Sequence, residues 1–143
     1  MTSSVFPDVN VWLALAYPAH AHHEAATGWF RSLRGDELFV FCRHTQMGLF
    51  RILTTEAAMG PDVRTQRQCW ALYERWAGAG KAVLFPDPDG LEDAFQARTS
   101  ADFPLPKTWA DAYLAAFAEC GNCTLVTFDR ALAAKAEGSI LLA

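Results

Sequence analysis

The chain lacks any uncharged stretch long enough to cross a bilayer. Its longest segment without Asp, Glu, Lys or Arg runs from Val9 to His23 and is interrupted by Asn10, Pro18 and three histidines. A spanning helix needs roughly 20 residues. No basic run precedes an apolar core at Met1-Thr2-Ser3-Ser4, so no secretory leader is expected and a cytoplasmic protein is. Positive charge is scarce as well. Twelve Lys and Arg stand against sixteen Asp and Glu, a net charge of −4. That excludes a general coating of nucleic acid by a basic surface. A phosphate-bearing substrate would need a local remedy, either a bound metal or a few well-placed arginines. The four cysteines, Cys42, Cys69, Cys120 and Cys123, are too few for a disulfide framework in a chain of this size. Cys120-Gly-Asn-Cys123 follows a helical run and precedes a strand. A redox pair opens a helix instead, and a zinc site wants two further ligands at regular spacing. Gly78-x-Gly80-Lys81 lacks the phosphate-loop spacing, and neither G-x-G-x-x-G nor G-x-S-x-G occurs.

What the chain has is apolar mass. Of its 143 residues, 52% are hydrophobic and 13% aromatic. A disordered chain lacks that much surface to bury, and no repeat or linker divides the sequence, so residues 1–143 are read as one domain. Short apolar runs alternate with helical periodicity. Strands are expected at Ser3–Pro7, Leu38–Phe41, Ala82–Phe85, Thr124–Phe128 and Ser139–Leu142. Helices are expected from Val9 or Asn10 to before Pro18, from near His20 to Gly35, and over 44–54, 64–78, 91–98, 108–120 and 129–137, with a loop at Met59–Asp62. The strand runs are continuously apolar, as in strands buried on both faces. The expected fold class is therefore α/β, a three-layer sandwich with a central, mostly parallel sheet of four to five strands and helices on both faces.

In such folds ligands bind beyond the carboxyl ends of the strands. Asp8 and Asp129 each fall just after an expected strand and before a helix, and Asp111 falls in the first turn of the helix starting near Thr108. Each has a plain structural explanation. Asp8 and Asp129 suit helix N-caps, and Thr108-Trp109-Ala110-Asp111 fits a capping box that admits Asp. As a set they suggest more. Asp111 shares a helix face with Leu114, Ala115 and Ala118, which reads as buried and free of Lys or Arg. A buried carboxylate without a cation is costly, and a hard divalent cation would answer that cost.

Four motifs carry a resemblance over nearly the whole chain: Asp8-Val-Asn-Val-Trp-Leu-Ala-Leu, Thr45-Gln-Met-Gly-Leu-Phe-Arg-Ile-Leu-Thr54, Trp109-Ala-Asp-Ala-Tyr-Leu-Ala-Ala-Phe-Ala118 and Thr127-Phe-Asp-Arg130. In this order the chain resembles the PIN domain family, and within it the VapC-like toxins of toxin–antitoxin pairs. The resemblance implies a PIN-like fold and a metal-dependent ribonuclease with a Mg²⁺ or Mn²⁺ site. Asp8, Asp111 and Asp129 fall on three of the family's acidic positions, while Asn10 and Thr127 fall on positions that support the site by hydrogen bonds. Gln46 stands where many members have Glu. Its amide can still offer a carbonyl oxygen or hold a metal-bound water, but one negative charge is lost and a second metal is in question. The plainer reading of Gln46 is a helix residue packed beside Leu49 and Phe50. A metal held by Asp8 and Asp111, with Asp129 completing the pocket, would neutralise charge developing on the phosphodiester and activate a water for in-line attack on RNA. The resemblance further implies a small antitoxin partner and a homodimer.

Arg43, Arg51, Lys107 and Arg130 lie in or near these motifs and could guide a phosphate backbone, but read equally as solvated surface charges. His20-x-His22-His23 reads as a helix start, because no carboxylate or Cys is spaced to join it as a metal ligand. The tryptophans read as core. Two other functions compete. One is a degenerate PIN-fold binding protein, which Gln46 favours. The other is a phosphatase-like hydrolase with its nucleophilic Asp after the first strand; the usual D-x-D is Asp8-Val9-Asn10 here, which argues against it.

Overall fold

The computed structural model describes residues 3–143. Met1 and Thr2, which open the segment read as lacking a leader, lie outside them. Five strands form one parallel sheet: β1 (Ser4–Pro7), β2 (Leu38–Phe41), β3 (Val83–Leu84), β4 (Thr124–Thr127) and β5 (Ile140–Leu141). Their spatial order is β3-β2-β1-β4-β5, and every neighbouring pair runs parallel. The longest strands, β1, β2 and β4, are the innermost and the most apolar. The edge strands shrink to two residues each, shorter than the expected runs, which limits the unpaired backbone an edge exposes.

Side-chain alternation along the strands divides the core in two. Val5, Phe39, Phe41 and Val126 point to the face covered by α1 (Val9–Ala16), α2 (His23–Ser32), α3 (Arg43–Leu53) and α5 (Gln66–Gly78). Phe6, Val40, Cys42 and Leu125 point to the opposite face, under α6 (Leu91–Arg98), α7 (Trp109–Gly121) and α8 (Arg130–Lys135). On the first face Trp12 stacks on Phe41 at 4.0 Å between ring centroids and lies 5.1 Å from Trp76. Such aromatic pairs add about 0.5–1.5 kcal/mol beyond the area they bury. On the second face Phe6 stacks on Phe117 at 4.8 Å. The nearly all-apolar face of α7 fills that layer, with Leu114, Ala115, Ala116, Phe117 and Ala118 buried.

Several local expectations are corrected. A short helix, α4 (Glu56–Met59), and a 3₁₀ turn at Gly60–Asp62 occupy the segment around the expected Met59–Asp62 loop. Helix α2 begins at His23 and ends at Ser32, before Gly35. Trp70 and Trp109 are exposed, so the core reading holds for Trp12 and Trp29 but not for them. Thr108 makes no side-chain cap on α7; its hydroxyl donates back to the Leu105 carbonyl at 3.1 Å instead. Among the described residues no helix is long and apolar enough to cross a membrane.

Candidate active site

The parallel arrangement delivers three strand ends to one edge. Pro7 of β1 stands opposite Val126 of β4, and the Asp8 N–H donates to the Val126 carbonyl at 3.0 Å. Val5 stands opposite Phe39 of β2. Continuing that register places Asp8 beside Cys42, at the start of α3. Helix α3 then packs tightly on α1, since a Cβ added at Gly48 would lie 2.8 Å from Cγ2 of Val9.

Asp8 is buried, at 6% exposure, and both of its oxygens are engaged. Oδ1 accepts from the Val11 N–H at 3.1 Å, which caps α1. Oδ2 accepts from the Thr127 hydroxyl at 2.5 Å. Thr127 is itself fully buried, and its Oγ1 accepts from the Asp129 N–H at 2.9 Å. One hydroxyl therefore ties Asp8 to the backbone of Asp129. The Asp8 carboxyl is held above its ordinary value. Burial is the main cause and the nearby Asp129 charge adds to it, while the Thr127 hydroxyl and the backbone of Val11 and Asn10 oppose it. Asp129 is exposed; its Oδ1 caps α8 by accepting from Ala131 N–H at 2.8 Å and Leu132 N–H at 3.3 Å.

The structure thus joins Asp8, Thr127 and Asp129. Asp111 stands apart from that linked set. It is half-buried, and its Oδ2 lies 3.7 Å from Nζ of Lys135 on α8. The reading of Asp111 as a buried acid with no cation is corrected accordingly. Its helix face has no Lys, but the neighbouring helix supplies one, a pairing across two helices that no spacing within either motif signals. Asn10 offers Asp8 its backbone, and its side chain is exposed. Gln46 is buried, at 3% exposure, as the packed reading expects. It also accepts a hydrogen bond, at 2.7 Å from Arg43 Nη1 to Oε1, so one lone pair of the amide oxygen is taken. Cys42 caps α3 through its thiol, which accepts from the Thr45 N–H at 3.4 Å, while Thr45 Oγ1 accepts from the Cys42 N–H at 3.1 Å. A Cys at an N-cap is an unusual choice, so no capping signal at Cys42 was legible beforehand.

Could these residues hold a divalent cation? Among the described residues no group of three His, Cys, Asp or Glu side chains is gathered tightly enough to do so. Mg²⁺, however, is commonly bound through one or two carboxylates and keeps several waters. The Asp129 charge adds to the cost of ionising the buried Asp8, and the two carboxylates offer hard oxygen donors at a strand-end edge. That donor set fits Mg²⁺ or Mn²⁺. Asp111 already has a counter-charge in Lys135, which faces its Oδ2.

A family model described as "PIN domain" matches residues 5–138. The chain is 42% identical over 128 residues to Ribonuclease VapC41 of Mycobacterium tuberculosis, covering 87% of this chain and 88% of that protein. It is 33% identical over 133 residues to Ribonuclease VapC29 of the same organism, covering 91% of this chain and 89% of the relative. Among solved structures, M. tuberculosis VapC20, a sarcin-ricin loop cleaving toxin, matches with a TM-score of 0.64 at 14% identity, over 91% of this chain and 93% of that one. The sheet order, the strand-end acids and these matches converge on one class, the three-layer α/β nucleases. The chain belongs to the PIN domain family, in its VapC-like branch.

Proposed function

We propose that this protein is a metal-dependent endoribonuclease and the toxin of a toxin–antitoxin pair. The observation that carries the proposal is the Asp8–Thr127–Asp129 linkage, formed where two central strands end. The two near full-length relatives named as ribonucleases support the reaction class. Asp8, Asp129 and Asp111 would hold Mg²⁺ or Mn²⁺, with Asp8 and Asp129 already neighbours. When bound, the ion supplies positive charge against the phosphodiester and acidifies water.

The chain's own residues do the rest. Thr127 fixes the rotamer of Asp8 by donating to Oδ2 and holds Asp129 through its N–H, so neither acid has to be ordered when substrate arrives. Burial keeps water off Asp8, which strengthens its interaction with any cation nearby. Lys135 neutralises Asp111 and thereby reduces repulsion within the acidic edge. Gln46, in contact with Arg43, takes part by placing that guanidinium rather than by adding charge. On the same reading, its partners are a small antitoxin that inhibits the enzyme and a second copy of this chain.

The test is cleavage of total RNA by the purified full chain with and without Mg²⁺, beside Asp8→Asn and Asp111→Asn. Metal-dependent fragments from the wild type and none from either folded variant are expected. Equal cleavage by the variants would overturn the assignment. RNA binding without cleavage at any metal concentration would favour the degenerate binding protein, which Gln46 alone recommends.

A further inference from the structure

We infer that Arg43 binds a phosphate of the RNA backbone and that Gln46 is the positioning residue that aims it. The inference rests on the ribonuclease reading above. Arg43 is exposed, yet it is not free to wander, because its Nη1 donates to the buried Oε1 of Gln46 at 2.7 Å. Gln46 in turn sits beside Tyr73 of α5. A surface arginine is therefore tied at one corner of its guanidinium to the protein interior, with its other N–H groups left to face outward.

Charge distinguishes this contact from an ordinary surface pair. Among the described residues the ion pairs are Arg98 with Glu119 and Lys135 with Asp111; Arg43 belongs to neither. A Glu at position 46 would pair with Arg43 and cancel its charge. The neutral amide holds the guanidinium without cancelling it. The departure from the acidic residue common in the family thus produces a fixed, uncompensated cation. Its place matters too. Arg43 directly follows Cys42, which the β1–β2 register sets beside Asp8. The edge is otherwise acidic, in a protein of net charge −4, so a polyanion needs a local cation to approach it. Arginine suits the task because its planar fork can grip two phosphate oxygens, and a fork already tethered loses less freedom on binding.

The experiment measures binding of a fluorescein-labelled, mixed-sequence single-stranded RNA by anisotropy in EDTA, across a salt series. It compares the wild-type chain, Arg43→Ala, Arg43→Lys and Gln46→Glu, each checked by thermal melting. Arg43→Ala is expected to bind about 10-fold more weakly, the scale of one charge-assisted hydrogen bond. Its salt slope should shrink by about 0.7, the share of one single-strand phosphate. Gln46→Glu should weaken binding in the same way although Arg43 is intact. Arg43→Lys should keep the slope but not the affinity. In Mg²⁺, Arg43→Ala should raise KM more than it lowers kcat. Unchanged affinity and slope for Arg43→Ala would overturn the inference, as would wild type that fails to bind the RNA in EDTA. So would a Gln46→Glu that binds RNA as wild type does and gains Mg²⁺ affinity by calorimetry, since position 46 would then serve a metal. If the wild type binds through Arg43 but never cleaves, the ribonuclease reading fails and this inference stands.

Discussion

Replacing Asp8 with Asn separates the two jobs of this side chain. In Asp8→Asn the amide oxygen can keep the N-cap bond from the Val11 N–H, 3.1 Å long in the parent. The partner facing Thr127 changes from an acceptor to an NH₂ donor. Thr127 Oγ1 already accepts from Asp129 N–H and can accept once more, but its own hydrogen then has no partner in a fully buried site. Leaving such a donor unsatisfied costs about 1–3 kcal/mol. Against this stands the removal of a buried charge. The folded-state pKa of Asp8 is raised by burial. A raised pKa means that its favourable contribution is complete below the unfolded value, 3.8, and is lost as pH climbs through the folded value. At pH 7 the ionised carboxylate therefore lowers stability, and Asn relieves that. The two effects oppose each other, leaving a net change of about 1 kcal/mol or less, a shift of only about 2–4 °C per kcal/mol in a chain this long. Asp8→Ala, by contrast, loses the cap as well, costing a further 0.5–2 kcal/mol, roughly. Melting curves at pH 5 and pH 7, with and without Mg²⁺, read this directly. Asp8→Asn should melt near wild type at pH 7, show no Mg²⁺-induced rise, and cleave no RNA. An Asn variant as unstable as the Ala variant that still cleaved RNA would refute the reasoning, because Asp8 would then be a cap and nothing more.

Lys135→Met frees Asp111 from its 3.7 Å partner. Stability should move by less than about 1 kcal/mol, as for other half-exposed pairs, while calorimetry should show tighter Mg²⁺ binding; unaltered affinity would mean that Asp111 takes no part in the metal site. Thr127→Val keeps the shape but removes the hydroxyl shared by Asp8 and the Asp129 N–H. Denaturant unfolding should record a loss of about 1–3 kcal/mol, and RNA cleavage should fall at saturating metal. Gly48→Ala puts a methyl 2.8 Å from Val9 Cγ2, an atom on a stiff β-branched side chain. A destabilisation of about 1–3 kcal/mol is expected, and a wild-type melting temperature would show that α1 and α3 separate more easily than their packing implies.

The inner strands were legible because parallel strands covered on both sides read as unbroken apolar runs: Val5-Phe6, Leu38–Phe41 and Leu125-Val126 are such runs. The edge strands were overextended, since their apolar residues continue past the point where a neighbour supplies hydrogen bonds. Gly60-Pro61 looked like a loop, yet Gly60 has a φ of +55°. That conformation lets the chain reverse between α4 and the following turn without leaving helical structure on either side. Asp8 and Asp129 could be read together from their place after strands and Thr127 through the family resemblance, whereas Asp111, read with the two acids, stands outside their hydrogen-bonded set. The Lys135–Asp111 and Arg43–Gln46 contacts could not. The first joins two successive helices, α7 and α8, whose packing against each other no spacing within either helix signals. The second was open to view at i and i+3, but became informative only once Gln46 was seen buried and Arg43 unpaired.

The cap reading and the site reading of the acids are compatible, because each carboxylate caps its helix through Oδ1. Oδ1 of Asp8 caps α1 while Oδ2 meets Thr127, and Oδ1 of Asp129 carries both cap bonds of α8. A carboxylate has about four lone-pair sites, so capping leaves room for a cation on each. Capping also orients: it anchors each acid to the first turn of a helix whose N-terminal dipole favours negative charge there. Helix α1 and helix α8 therefore hold two like charges near one another, which neither helix would do alone. That repulsion is what a divalent ion would relieve, and it offsets the lost Thr127 bond, so an Asn at position 8 should change stability by about 1 kcal/mol or less while emptying the edge of its chemistry.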